Sequence, residues 1–173
     1  MTVFVTRDAF DAGNSFYGLQ VGVRGSYDLG PLTADAGVKV ALGAMRQSMD
    51  IAGSLVTNQF TPTVTTYPGG YFAQRTNIGS YGRDVFAAVP EASVNLSYRL
   101  TSWASIVAGY TFLYASNVVR PGEQIDRTVN PTQSPSFGGP VPTNLVGAAR
   151  PRFRFEGSDF WAHGLNVGVV LQY

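Results

Sequence analysis

The strongest constraint on this chain is a period of two. Its last stretch reads FWAHGLNVGVVLQY, Phe160 to Tyr173. Counting back from Tyr173 in steps of two gives Leu171, Val169, Val167 and Leu165, all apolar. Between them stand Gln172, Val170, Gly168, Asn166 and Gly164, mostly small or polar. Such alternation means a pleated strand with two unlike faces. The same sorting works elsewhere. Tyr17, Leu19, Val21, Val23 and Tyr27 oppose Gln20, Gly22, Arg24 and Ser26. Leu32, Ala34, Ala36, Val38, Val40 and Leu42 oppose Thr33, Asp35, Gly37, Lys39, Ala41 and Gly43. Phe86, Ala88, Ala92, Val94, Leu96 and Tyr98 oppose Glu91, Ser93, Asn95 and Ser97. Ile106, Ala108, Tyr110, Phe112 and Tyr114 oppose Ser105, Gly109 and Thr111.

These patterns predict an all-β chain. Strands are expected over residues 1–7, 15–28, 32–46, 83–99, 102–116 and 159–173, in an antiparallel, up-and-down order. No stretch sustains a 3.6-residue period with helix caps. Asp28-Leu-Gly-Pro31 and Arg99-Leu-Thr-Ser102 read as tight turns. The other connections are long. One lies between Met45 and Arg83. The second, between Asn117 and Ser158, carries Pro121, Pro131, Pro135, Pro140, Pro142 and Pro151.

An apolar strand face has to be covered by protein or by lipid. Composition helps to choose. Hydrophobic residues make up 45 % of the 173 and charged ones only 13 %, about half the usual charged share. The four charges deep inside the predicted strands, away from their ends, are Arg24, Asp35, Lys39 and Glu91, and each falls on the polar parity. A charge on a lipid face at mid-depth costs roughly 2–4 kcal/mol, so this sorting suits a membrane wall. Short turns alternating with long loops also suit an outer-membrane barrel. Tyr17, Tyr27, Tyr98, Trp103, Tyr114, Trp161 and Tyr173 cluster at strand ends, where aromatic girdles mark the membrane–water boundary. With DLGP and RLTS on the periplasmic side, strand 102–116 climbs outward and strand 159–173 descends to the periplasmic rim. A soluble up-and-down barrel shares the alternation and is the competing reading at this point.

Other classes are excluded or disfavoured. There is no cysteine, hence no disulfide framework. A formal net charge of +1 without a basic patch argues against nucleic acid. No apolar run is long enough for a transmembrane helix. The start, MTVFVTRDAF, does not follow the pattern of a signal peptide.

Three stretches resemble the C-terminal part of the bacterial outer-membrane family called beta-barrel porin 7. They are VFAAVPEASVNLSYRLTSW (Val85 to Trp103), IVAGYTFLYASNVVRPGEQIDRTVNP (Ile106 to Pro131) and SDFWAHGLNVGVVLQY (Ser158 to Tyr173). Together they cover about half the chain, and residues 1–80 share only the general character. The resemblance implies a single outer-membrane barrel domain over 1–173, lacking N-terminal strands and a signal peptide that family members carry. It implies a pore role and brings no catalytic residues. The terminal aromatic strand resembles the signal read by the barrel insertion machinery.

The expected lumen lining is Gln20, Arg24, Asp35, Lys39, Glu91, Asn95, Asn166 and Gln172. Arg24, Asp35, Lys39 and Glu91 either line a conducting lumen or pair across a narrow one and block it. Arg120 and Asp126, on either side of the Pro121-Gly122 turn, are expected to pair and fold a loop over the entrance. The alternative for Arg120 is contact with anionic lipid headgroups. The sole histidine, His163, invites a hydrolase reading. Asp159 lies four residues away, roughly 13 Å along a strand, so the two make no dyad, and an interfacial place for His163 is preferred. Glu123 and Asp126 are too few carboxylates for a calcium site. The expectation is therefore a barrel without enzymatic activity, metal or cofactor, surrounded by outer-membrane lipid. It passes small polar solutes, or else presents its loops as a non-conducting structural or adhesion barrel. Oligomeric state is not readable.

Overall fold

The computed structural model describes residues 1–135 and 146–172. The chain is all-β, antiparallel and up-and-down, as the alternation requires. Its strands are β1 (Phe4–Leu29), β2 (Leu32–Thr57), β3 (Thr65–Pro68), β4 (Gly79–Arg99), β5 (Ala104–Val119) and β6 (Gly157–Leu171). The sheet order is β1-β2-β4-β5-β6, with the short β3 paired to β2. β1 and β6 are its two ends, and the sheet is open. The tight turns fall where the sequence places them. Gly30 takes a φ of +69° between β1 and β2, a left-handed conformation that glycine adopts without a Cβ penalty. At the other turn the Leu100 and Thr101 amides both donate to the Ala104 carbonyl, at 2.9 and 3.1 Å.

Two expectations need correction. Residues 1–7 and 15–28 are parts of one strand, β1, and the strand expected to stop at 46 runs on to Thr57. The supposed connection from 46 to 82 therefore contains the second half of β2, all of β3 and the start of β4. The reason lies in β2 itself. Up to Leu42 the even positions are apolar, and Ala36, Val38 and Leu42 are exposed. From Met45 onward the odd positions Met45, Gln47, Met49, Ile51, Leu55 and Thr57 are buried, while Arg46, Ser48, Asp50 and Ala52 are exposed. The pleat continues, but its faces exchange hydropathy. A search for one constant apolar face stops at the exchange. β1 and β4 show the same exchange. In β1 the exposed odd positions change from Arg7 and Asp11 to Tyr17, Leu19 and Val21. In β4 the exposed even positions change from Ser80, Gly82 and Asp84 to Phe86, Val94 and Leu96.

The chain correspondingly forms two compact units. The first, the wall unit, is Phe16–Met45, Val85–Val118 and Ser158–Tyr173. Its large apolar side chains face outward: Leu19 is 85 % exposed and Leu165 83 %. The apolar residues it buries are Ala41, Met45, Ala87, Ala104 and Ala115, too little volume for a protein core. The second, the core unit, is Met1–Ser15, Arg46–Asp84 and Val119–Gly157. It is built as a soluble protein is. Met49, Ile51 and Ala73 are buried, with Phe10, Ala12, Ile78, Tyr81, Phe153 and Phe155 packed around them. Tyr81 stacks on Phe153 with ring centroids 4.0 Å apart, and Phe153 meets Phe155 edge-on. Arg83 places its guanidinium 4.6 Å from the Phe155 ring centre, a cation–π contact.

Polar side chains complete the core unit's backbone pairing. The Asn14 amide donates to the Val119 carbonyl and accepts from the Val119 N–H, at 2.9 and 2.8 Å. Gln124 does the same to Glu156, at 2.7 and 3.0 Å, and Asn58 bridges Met1 and Val3. The Asp8 carboxylate accepts three successive amides, Tyr71, Phe72 and Ala73. Each of these groups supplies bonds that a neighbouring strand would otherwise make.

Candidate functional site: the polar face of the wall unit

The polar parity of β1, β2 and β4 collects the strand charges on one face. Two ion pairs form there, each between neighbouring strands. Arg24 on β1 meets Asp35 on β2, with Nη2 3.0 Å and Nε 3.1 Å from the same carboxylate oxygen. Lys39 on β2 meets Glu91 on β4, with Nζ 2.8 Å from Oε1. The Arg24 side chain is 72 % exposed and that of Lys39 44 %. Pairs so accessible contribute about 0–1 kcal/mol. They balance charge on the wall more than they hold it together.

Gln20, Arg24, Lys39, Glu91, Ser93 and Asn95 line one groove of about 430 Å³. Five residues of the expected lining therefore lie together, and Asp35 joins them through Arg24. Asn166 enters the same face one strand pair further on. It meets Asn95 at Gly109, which is buried, and a methyl group added there would collide with the side-chain oxygens of both asparagines. The close approach of two amides is the reason for glycine at this point. Gln172 is elsewhere. It lines a separate hollow of about 300 Å³ with Thr33, Ser97, Arg99 and Ser105, and its amide donates to the Trp103 carbonyl at 2.9 Å.

The aromatic residues sort to the ends of the wall unit's strand segments. Tyr27, Tyr98 and Trp103 are exposed near the two tight turns, and Tyr17 and Trp161 are exposed near the opposite ends. Tyr114 is half-buried and its hydroxyl bonds to Asp159. Tyr173 lies outside the described residues. His163 stacks on Trp161, centroids 5.6 Å apart, and meets Tyr110 at 5.8 Å. Both of these ring neighbours are aromatic.

One expected contact is different. Asp126 takes Arg150 as its partner, at 2.7 Å, rather than Arg120. It also accepts the backbone amides of Arg152 and Thr128, each at 3.0 Å. Burial alone would raise its pKa, but the Arg152 amide, the Arg150 guanidinium and the Thr128 amide together lower it to about 2. Its oxygens are thus occupied by donors rather than presented to a cation. Sequence proximity suggests Arg120, whereas the pairing is set by the return of the chain at 150–152.

The family-like stretch Tyr114 to Asn117 also has a structural explanation. The β4–β5 register runs from Glu91↔Leu113 to Arg99↔Ser105. Beyond it stands Pro90, which has no N–H to give. Ser116 Oγ accepts the Ala88 amide at 2.9 Å, and the Asn117 side chain donates to the Phe86 carbonyl at 2.8 Å. Asn117 takes a φ of 55°, which asparagine tolerates better than most residues. Alternation alone does not encode these two bonds, although a proline inside a strand is a signal that the ladder is interrupted there.

Among known families, one described as Putative beta barrel porin-7 (BBP7) matches residues 1–173. The match covers the whole chain, where the sequence resemblance rests on its second half. No curated protein and no solved structure matches.

Proposed function

Since the chain belongs to the putative beta barrel porin-7 family, we propose that its wall unit lines a water-filled passage for small polar solutes across the bacterial outer membrane. One observation carries this reading: the wall unit's strand segments present exposed apolar side chains on one face, and on the other β1, β2 and β4 form a charge-balanced polar groove. Lipid solvates the first face. Water and solute occupy the second. Paired charges leave the groove close to neutral, so it takes cations, anions and uncharged solutes without strong preference.

Closure follows from strand direction. In lipid an open sheet edge leaves N–H and C=O groups unsatisfied. The five spanning segments alternate in direction, so β1 and β6 run the same way. Joining these edges directly, or to a second copy in the same orientation, makes a parallel pair. An all-antiparallel wall closes only with an odd number of further strands, at least three for the usual minimum of eight.

Planar-bilayer recording tests the passage. Reproducible conductance steps are expected. Replacing Lys39 by Gln leaves Glu91 without its cation, and the reversal potential then shifts toward cation preference. Silence from folded, inserted protein overturns the proposal and favours a structural barrel that presents its loops at the cell surface.

A further inference from the structure

The core unit carries a second polar site that passage does not use. Residues 150–156 read RPRFRFE. Pro151 is buried, and Phe153 and Phe155 pack against the core cluster. The alternation therefore turns Arg150, Arg152 and Arg154 to the other side, where they line a cleft of about 350 Å³ with Asp126, Arg127 and Glu156. The apolar anchors hold this row of guanidinium groups in place.

The charges in the cleft are unequally used. Asp126 is engaged by Arg150, and Glu156 by Arg154 at 2.6 Å. Arg127 and Arg152 have no carboxylate within ion-pair distance among the described residues. Glu123 also lines the cleft, so four guanidinium groups face three carboxylates and the balance is +1. Asp126 is fixed by three donors and is not available to neutralise Arg127 or Arg152. Guanidinium groups that line one cleft can match the oxygens of a phosphate group, which they bind through paired, charge-assisted hydrogen bonds.

We propose that this cleft binds a phosphate group through Arg127 and Arg152, either free phosphate or the phosphate of an anionic lipid headgroup. The site is independent of whether the wall unit conducts. The test uses the folded full chain in zwitterionic detergent. Calorimetric titration with inorganic phosphate at constant ionic strength forms one arm, and native mass spectrometry in micelles doped with phosphatidylglycerol the other. R127Q/R152Q is expected to weaken binding at least tenfold, and R75Q, which does not line the cleft, to leave it unchanged. Phosphate binding that the double substitution abolishes identifies free phosphate. Phosphatidylglycerol adducts lost in the double variant, without phosphate binding, identify the headgroup. No binding in either arm, or binding indifferent to R127Q/R152Q, overturns the site. If the double variant does not fold, R152K serves in its place. It keeps the charge but loses the planar fork, and an undiminished affinity in R152K overturns the proposal equally.

Discussion

The two halves of β2 use one pleat in opposite ways. In residues 32–44 the even, apolar positions point away from the polar groove, with Ala36, Val38 and Leu42 exposed. In residues 45–57 the large apolar side chains Met45, Met49, Ile51 and Leu55 occupy the other parity and are buried. Local conformation is the same in both, since both are strand. What differs is the solvent each half is written for. Where lipid surrounds a sheet, its greasy side needs no protein cover and its polar side must find water or partners. Where water surrounds it, the usual rule returns. On the function proposed above, the exchange of faces marks where hydrocarbon gives way to water.

The contrast is sharpest for deletions of buried volume. Met49→Ala removes a fully buried side chain from the centre of the core unit. Such truncations cost about 2–5 kcal/mol, from lost transfer energy plus the cavity left behind. The core unit should open at lower denaturant while the wall unit's strand signal persists. A cost below about 1 kcal/mol would mean that this cluster is not a packed core.

A charge scan tests the same contrast from outside. Val21 and Ala52 are both exposed, and in water an arginine at either would be tolerated. In a bilayer Val21→Arg should cost about 2–4 kcal/mol, read as unfolding free energy in lipid vesicles. Ala52→Arg should stay within about 0.5 kcal/mol, as surface substitutions do. Equal penalties at the two positions would place both halves of the sheet in one solvent and remove the basis of the comparison.

Side-chain bridges also join strands in the core unit, and Asn14 probes one of them. Its side chain both donates to and accepts from Val119, and Val119 is 2 % exposed. Asn14→Ala leaves a buried backbone N–H and C=O without that partner, at about 1–3 kcal/mol for a group so stranded. Asn14→Asp, which accepts but does not donate, should fall between. The readout is amide exchange at Val119. Unchanged protection in Asn14→Ala would show that the bridge contributes nothing.

The contrast between the two units also explains what could be read from sequence. Alternation is a local property, so the wall strands, their tight turns and the polar parity of Arg24, Asp35, Lys39 and Glu91 were all legible. The pairing of those charges follows from strand adjacency once the order is known. Residues 8–14 and 47–57 were not legible as strand, because Asp8, Asp11, Gly13 and Asn14 are turn-favouring residues and because the apolar parity reverses at Met45. The bridges made by Asn14, Asn58 and Gln124 join residues far apart in the chain, and no periodicity encodes them. Asp126 shows the same limit. Its neighbour Arg120 was visible, but its partner Arg150 is brought near only by the return of the long loop.

The smallest expected effect is a pH dependence confined to that loop. Asp126 titrates at about 2, below the ordinary value of 3.8. A carboxylate whose folded pKa is lowered contributes stability that is complete above its unfolded value, and that contribution is lost as pH falls through the folded value. The window is therefore about pH 4 down to pH 2. Within it, the Thr128 and Arg152 amides that donate to Asp126 should lose exchange protection, after correction for intrinsic rates, while Val119 keeps its own. Asp126→Asn should abolish the pH step by removing the titrating group, and should lower protection of the two amides at neutral pH because the charge opposite Arg150 is gone. Protection of Thr128 and Arg152 that stays flat from pH 5 to pH 2 in the native chain would mean that the loop is held by Gln124, Asn130 and the buried Pro151 without help from the ion pair. The core unit would then depend on its amide bridges and apolar packing alone.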